Sequence, residues 1–162
     1  MSGNRRGEWH EWPFEPLPVL RALGRHGVDY VLVGGLAAVL QASPLPTYDI
    51  DIAPAPGNAN ARRLQAALAE LDATVLAGDA SAEKAPGGQA EASYSTPFGH
   101  IDVLHRPAGF VGYAALRRNA VPVQLQPDLA VLVSPLRDII RSRTAAGDQR
   151  QLPALEAALD LA

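Results

Sequence analysis

Two aspartates separated by one residue, in Thr47-Tyr48-Asp49-Ile50-Asp51-Ile52, are the residues of this chain best suited to chemistry. The segment is otherwise apolar and reads as a strand. Side chains alternate along a strand, so Asp49 and Asp51 project from one face and Tyr48, Ile50 and Ile52 from the other. Adjacent carboxylates repel one another, and a divalent cation such as Mg²⁺ or Mn²⁺ is the usual reason to hold them together. Upstream, the apolar run Tyr30-Val31-Leu32-Val33 leads into Gly34-Gly35 and then the helix-forming Leu36-Ala37-Ala38-Val39-Leu40. Strand, glycine pair and helix is an arrangement that points backbone N–H groups at an anion. A phosphate cradle beside a metal site suggests phosphoryl or nucleotidyl transfer.

The elements that must position these residues can be read along the chain. Residues 17–26 predict a first helix, with Leu17, Leu20 and Leu23 on one face, Arg21 and Arg25 on the other, and Gly27 as its stop. Residues 59–71 predict an amphipathic helix with Leu64, Ala67, Leu68 and Leu71 as its stripe. Arg62 and Arg63 in its first turns read as solvated charges. A short strand at 73–76 precedes a Gly-, Ala- and Pro-rich stretch, 77–92, which carries Lys84, the only lysine, and reads as a mobile loop. Residues 92–96 and 100–104 form a hairpin around Pro97-Phe98-Gly99. A short helix follows at 110–119, then two edge strands at 121–124 and 129–133. Ser134 reads as the N-cap and Pro135 as N1 of the next helix, which Gly147 ends. Residues 151–161 complete the chain as a last helix.

The expected architecture is one α/β domain over residues 16–162, preceded by a tail, 1–15, whose Trp9, Trp12 and Phe14 would pack back onto it or anchor a protein partner. With 48% hydrophobic and 19% charged residues the chain is globular. No apolar run approaches the ~20 residues of a membrane helix, so no membrane partner is expected. Residues 1–18 contain no apolar h-region of a signal peptide. The absence of cysteine excludes thiol chemistry and fits a cytoplasmic protein. A net charge of −3 gives no global attraction to nucleic acid, so such a partner would have to meet a local basic patch.

The order Val33-Gly34-Gly35, thirteen residues (36–48), then Asp49-Ile50-Asp51 resembles the signature of the nucleotidyltransferase superfamily. In particular it resembles the small bacterial toxins of AbiEii/MenT type and their relatives. The resemblance covers residues 17–159 and implies a nucleotidyltransferase fold, a mixed twisted β-sheet flanked by helices. It also implies a third acid on a later strand, and Asp102 in His100-Ile101-Asp102-Val103-Leu104 fits. Alternation puts Asp102 on one face with His100 and Leu104, leaving Ile101 and Val103 to the core. His100 and His105 read as ordinary polar residues, because Mg²⁺ prefers oxygen ligands.

On this resemblance Asp49, Asp51 and Asp102 are the metal-binding and catalytic acids, Gly34 and Gly35 bind nucleotide, and Mg²⁺ or Mn²⁺ is the cofactor. Relatives tend to carry a lysine and then an aspartate in the last helix pair, where this chain has Arg143 and Gln151. Arg143, with Arg141, would meet the phosphates, although arginine cannot exchange a proton as lysine does. The reaction implied moves an NMP from an NTP to an acceptor hydroxyl. Resemblance to the toxins suggests transfer RNA as acceptor and a cognate antitoxin as partner; a protein hydroxyl or a small molecule such as an aminoglycoside stays open as acceptor. Arg137, Arg141, Arg143 and Arg150 would supply a basic strip for RNA. The substitutions at Arg143 and Gln151 leave open a catalytically silent binding protein, an antitoxin or a nucleotide sensor.

Overall fold

The computed structural model describes residues 13–78 and 92–161, so Trp9, Trp12 and Lys84 lie outside the described residues. Helix α1, Pro16–Arg25, starts at a proline, whose fixed φ suits a first turn, and buries Val19, Leu20, Ala22 and Leu23. Gly27, at φ +68°, turns the chain into β1, Tyr30–Val33. Helix α2, Gly34–Val39, follows without a loop, and β2 is Asp49–Pro54. Helix α3, Asn58–Glu70, leads to strands β3, Thr74–Gly78, β4, Ala92–Thr96, and β5, Gly99–Val103. Helix α4, Tyr113–Asn119, strands β6, Val121–Gln126, and β7, Leu129–Val133, then helices α5, Leu136–Ala145, and α6, Leu152–Leu161, complete the order.

The strands form one mixed sheet in the order β3-β4-β5-β2-β1-β7-β6. β2 is its organising strand, antiparallel to β1 and parallel to β5. Ile50, Ile52, Ile101 and Val103 point to one face, where they are almost fully buried with Leu20, Leu23 and Leu64. Asn60 ties this layer to the strand ends: its side chain receives a bond from the Asp29 N–H and donates to the Asp29 and Ala55 carbonyls at 2.8–2.9 Å. Arg63 reaches Asn60 and Asp29, so it is part of this junction, while Arg62 is exposed. The exposed faces of α1 and α3 are joined by Arg25 and Glu70, and Arg21 pairs with Asp128.

Three expectations change. β7 is an interior strand between β1 and β6, with Leu32 opposite Val133, because both its neighbours offer unpaired backbone; only β6 lies at that edge. Ser134 is not an N-cap, since its N–H continues the sheet by bonding the Leu32 carbonyl. Pro135 takes the cap position, and the Leu136 N–H is met by Gln41 Oε1, in the turn after α2, at 3.2 Å. Gln41 Nε2 completes the clasp on the Ala37 and Ser134 carbonyls. Last, the helix expected from residue 110 begins only at Tyr113, after Gly112 at φ +155°. At the N-terminal boundary, Phe14 packs on the core and the Glu15 N–H bonds the Phe98 carbonyl at 2.7 Å.

Candidate active site

The register of β2 places the acids. Asp51 stands opposite Val33 on one side and opposite Asp102 on the other, while Asp49 stands opposite His100. Period-two alternation then brings Asp49, Asp51 and Asp102 onto the face away from the isoleucines. Asp51 and Asp102 are cross-strand neighbours, close enough that the Asp102 charge opposes ionisation of Asp51.

The glycine pair makes this crowding possible. Gly34 sits at φ +70°, a conformation costly for residues with a Cβ, and a Cβ there would collide with Asp51 Oδ2. At Gly35 a Cβ would lie 2.8 Å from Thr47 Oγ1. Helix α2 can therefore begin directly against the acids.

Burial raises Asp49 from the usual carboxylate range to about 6, with the Asp102 charge adding to the effect. Burial also raises Asp51 well above the usual carboxylate range, with Asp102 and Asp49 adding to the effect against the opposing pull of the Arg143 guanidinium. Burial pushes the His100 imidazole below its usual range, despite the nearby Asp102. The site is thus a cluster of carboxyls that the fold holds against both desolvation and mutual repulsion.

Arg143, in the last turn of α5, lines two cavities that meet at Asp51. One, about 270 Å³, is polar and bordered by Gly35, Thr47, Asp49, Asp102 and Gln151. The other, about 220 Å³, is largely apolar and bordered by Val33, Gly34, Leu104, Phe110 and Leu116. Arg141 does not line either; its guanidinium lies over the Phe110 ring, 4.7 Å from the centroid.

Two acids escaped the sequence reading. Asp148 accepts from Arg143 Nη1 and Arg150 Nε, each at 3.3 Å. Its place follows from Gly147, at φ +76°, which folds the chain back so that the Asp148 N–H bonds the Arg143 carbonyl. Glycine followed by aspartate after a helix was the available signal. Asp138, buried in the first turn of α5, lines the apolar cavity. An acid in a first turn ordinarily reads as a macrodipole complement, so its sequence position gave no warning.

A hard divalent cation suits this donor set. All three side chains are carboxylates, and Asp49 Oδ1 is buried without a hydrogen-bond partner, an oxygen left to be satisfied by something else. Among the described residues, no three His, Cys, Asp or Glu side chains already enclose one metal position.

No protein-family model and no curated protein sequence matches the chain. Its fold, however, is similar to that of a candidate nucleotidyltransferase from Thermotoga maritima, with a TM-score of 0.60 at 16% identity over 94% of this chain and 99% of that one. It is also similar to the antibiotic-resistance factor ANT(2'')-Ia, with a TM-score of 0.61 at 15% identity over 90% of this chain and 81% of that one. The single α/β domain, with its mixed seven-stranded sheet, has the nucleotidyltransferase fold.

Proposed function

We propose that the chain transfers a nucleoside monophosphate from an NTP to an acceptor hydroxyl. The observation that carries this reading is the placement of Asp51 directly opposite Asp102, with Gly34 backbone against it. In the reaction the hydroxyl oxygen attacks the α-phosphorus, a phosphoester bond forms, the α–β anhydride breaks, and pyrophosphate leaves. Asp49, Asp51 and Asp102 would hold Mg²⁺ or Mn²⁺, which when bound supplies Lewis-acid neutralisation of the phosphate charge. Asp102 would accept a hydrogen bond from the attacking hydroxyl at a carboxylate oxygen and so help activate it. Gly34 and Gly35 would offer backbone N–H groups to the phosphates with no side chain in the way. Arg143, always charged, would stabilise the pyrophosphate as it departs. Arg141, turned onto Phe110, would act on nucleotide only by leaving that ring.

The finer form of this reading is a toxin of a toxin–antitoxin pair, with transfer RNA as acceptor and an antitoxin protein as partner. Its support is charge: Arg137, Arg141 and Arg150 are exposed on α5 and the turn after it, on the element that carries Arg143. A second reading, a silent nucleotide-binding protein, is favoured by Gln151, an amide in the wall of the polar cavity. Incubation of the full chain with each α-labelled NTP, Mg²⁺ and total RNA separates the two. Labelled RNA that disappears with Asp51→Asn supports transfer. Nucleotide binding with no label on RNA, protein or small-molecule hydroxyls supports the silent reading.

A further inference from the structure

Asp138 is a charged side chain buried outside the acid cluster, at 6% exposure. It lies in the wall of the apolar cavity, among Val33, Leu104, Leu116 and Ile139. Its single side-chain hydrogen bond comes from Asn119 Nδ2 to Oδ2, at 3.1 Å, and no ion pair among the described residues includes it. Oδ1 has no partner, yet it is not one of the fully enclosed orphan atoms of the described residues. It therefore keeps some exposed surface, on a residue that lines the cavity. The first turn of α5 and the amide of Asn119 make a carboxylate tolerable here. They do not explain why an acid, rather than a neutral residue, borders an apolar cavity.

The same cavity reaches Gly34, Asp51 and Arg143. At about 220 Å³, with apolar walls and the Phe110 ring, it suits a flat heterocycle whose phosphates extend toward the acids. We propose that this cavity is the base pocket of the nucleotide site and that Asp138 makes it selective for guanine; the proposal rests on the nucleotidyl-transfer reading above. A carboxylate only accepts hydrogen bonds. Guanine presents two adjacent donors, N1–H and the C2 amino group, which meet both oxygens of one carboxylate. Adenine and cytosine present an amino donor beside a ring nitrogen that is itself an acceptor, and uracil presents one imino donor between two carbonyls. Only guanine matches the carboxylate without setting acceptor against acceptor. Oδ2 can serve both Asn119 and the base, because each carboxylate oxygen has two acceptor sites.

The test is equilibrium binding of GTP, ITP, ATP, CTP and UTP to the full chain in Mg²⁺. ITP is GTP without the C2 amino group, so it isolates the second hydrogen bond. The expected result is GTP about tenfold or more tighter than ITP and than the other three, the loss that follows from removing one bond to a charged acceptor. Asp138→Asn should lose that preference and favour XTP, whose C2 carbonyl accepts from the new amide. A residue that only ties α4 to α5 would instead lower the melting temperature and weaken all NTPs alike. Equal binding of GTP and ITP by the parent, or uniform weakening in Asp138→Asn, overturns the base pocket and leaves the transfer reading standing. Failure of every NTP to bind overturns both.

Discussion

On one face of the β2–β5 pair, Ile50, Ile52, Ile101 and Val103 are sealed into the core; on the other, one residue away along the same strands, Asp49, Asp51 and Asp102 crowd together. Burying each large apolar side chain stabilises the fold by about 1.5–3 kcal/mol. The acids contribute in the opposite sense, since burial and mutual repulsion raise both Asp49 and Asp51. The two faces are not independent. A one-residue slip would exchange them, so the apolar face fixes the register that presses the carboxyls together. Stability and chemistry are thus divided between the faces of one strand pair, and each can be perturbed while the other is watched.

The largest effect should come from the apolar face. Ile101→Ala leaves a cavity where the side chain is fully buried and should cost about 3 kcal/mol in urea unfolding. A cost below ~1 kcal/mol would mean that this face does not hold the register. Gly34→Ala acts where the two faces meet the helix. The left-handed backbone costs about 1–2 kcal/mol for an L side chain, and the new methyl must push Asp51 aside. Destabilisation of about 2 kcal/mol is therefore expected. Gly57→Ala, also at positive φ but with open space around it, should cost less; equal costs would show that Gly34 and Asp51 are not in steric conflict.

The smallest effect is a pH dependence of the metal-free protein. Asp49, at about 6 in the fold, binds its proton more tightly than in the unfolded chain, where an Asp titrates near ~3.9. Its contribution is fully present below the unfolded value and is lost as pH rises through about 6. Asp51 acts in the same direction. His100, lowered in the fold, has the opposite sign, becoming favourable as pH rises toward its unfolded value. Glu70, Asp128 and Asp148 are lowered, so above ~pH 5 they are ionised in both states and add no pH dependence there. Between about pH 5 and 7.5, the parent should therefore lose more stability than Asp49→Asn, which retains His100 and Asp51. Parallel pH profiles for the two proteins would contradict the assignment.

Much of the acidic face was legible because strand alternation is strict: Asp49, Asp51, Ile50 and Ile52 sort themselves by parity alone. The glycine pair was legible as a turn into a helix, although its contact with Asp51 and Thr47 was not. What escaped depends on distant partners. The cap of α5 comes from Gln41, far away in sequence, so the local Ser134-Pro135 pattern misled. The interior place of β7 is set by pairing with β1, which no local pattern encodes. Arg141 and Arg143 look alike on one helix, yet Phe110 takes one and Asp148 anchors the other beside the acids. Asp138 is ordinary as a first-turn acid and unusual only once its burial is known.

Thermal melts of the parent, Asp49→Asn and Asp51→Asn, each with and without Mg²⁺ near neutral pH, test the central claim most directly. A cation that binds the folded acids preferentially should raise the parent's Tm, and either amide should remove that rise. Without metal, both variants should be as stable as the parent or more so, because one desolvated, repelled charge has gone. A parent insensitive to Mg²⁺, destabilised by both substitutions, would mean that the carboxyls are structural and would contradict the metal site and the transfer reaction built on it.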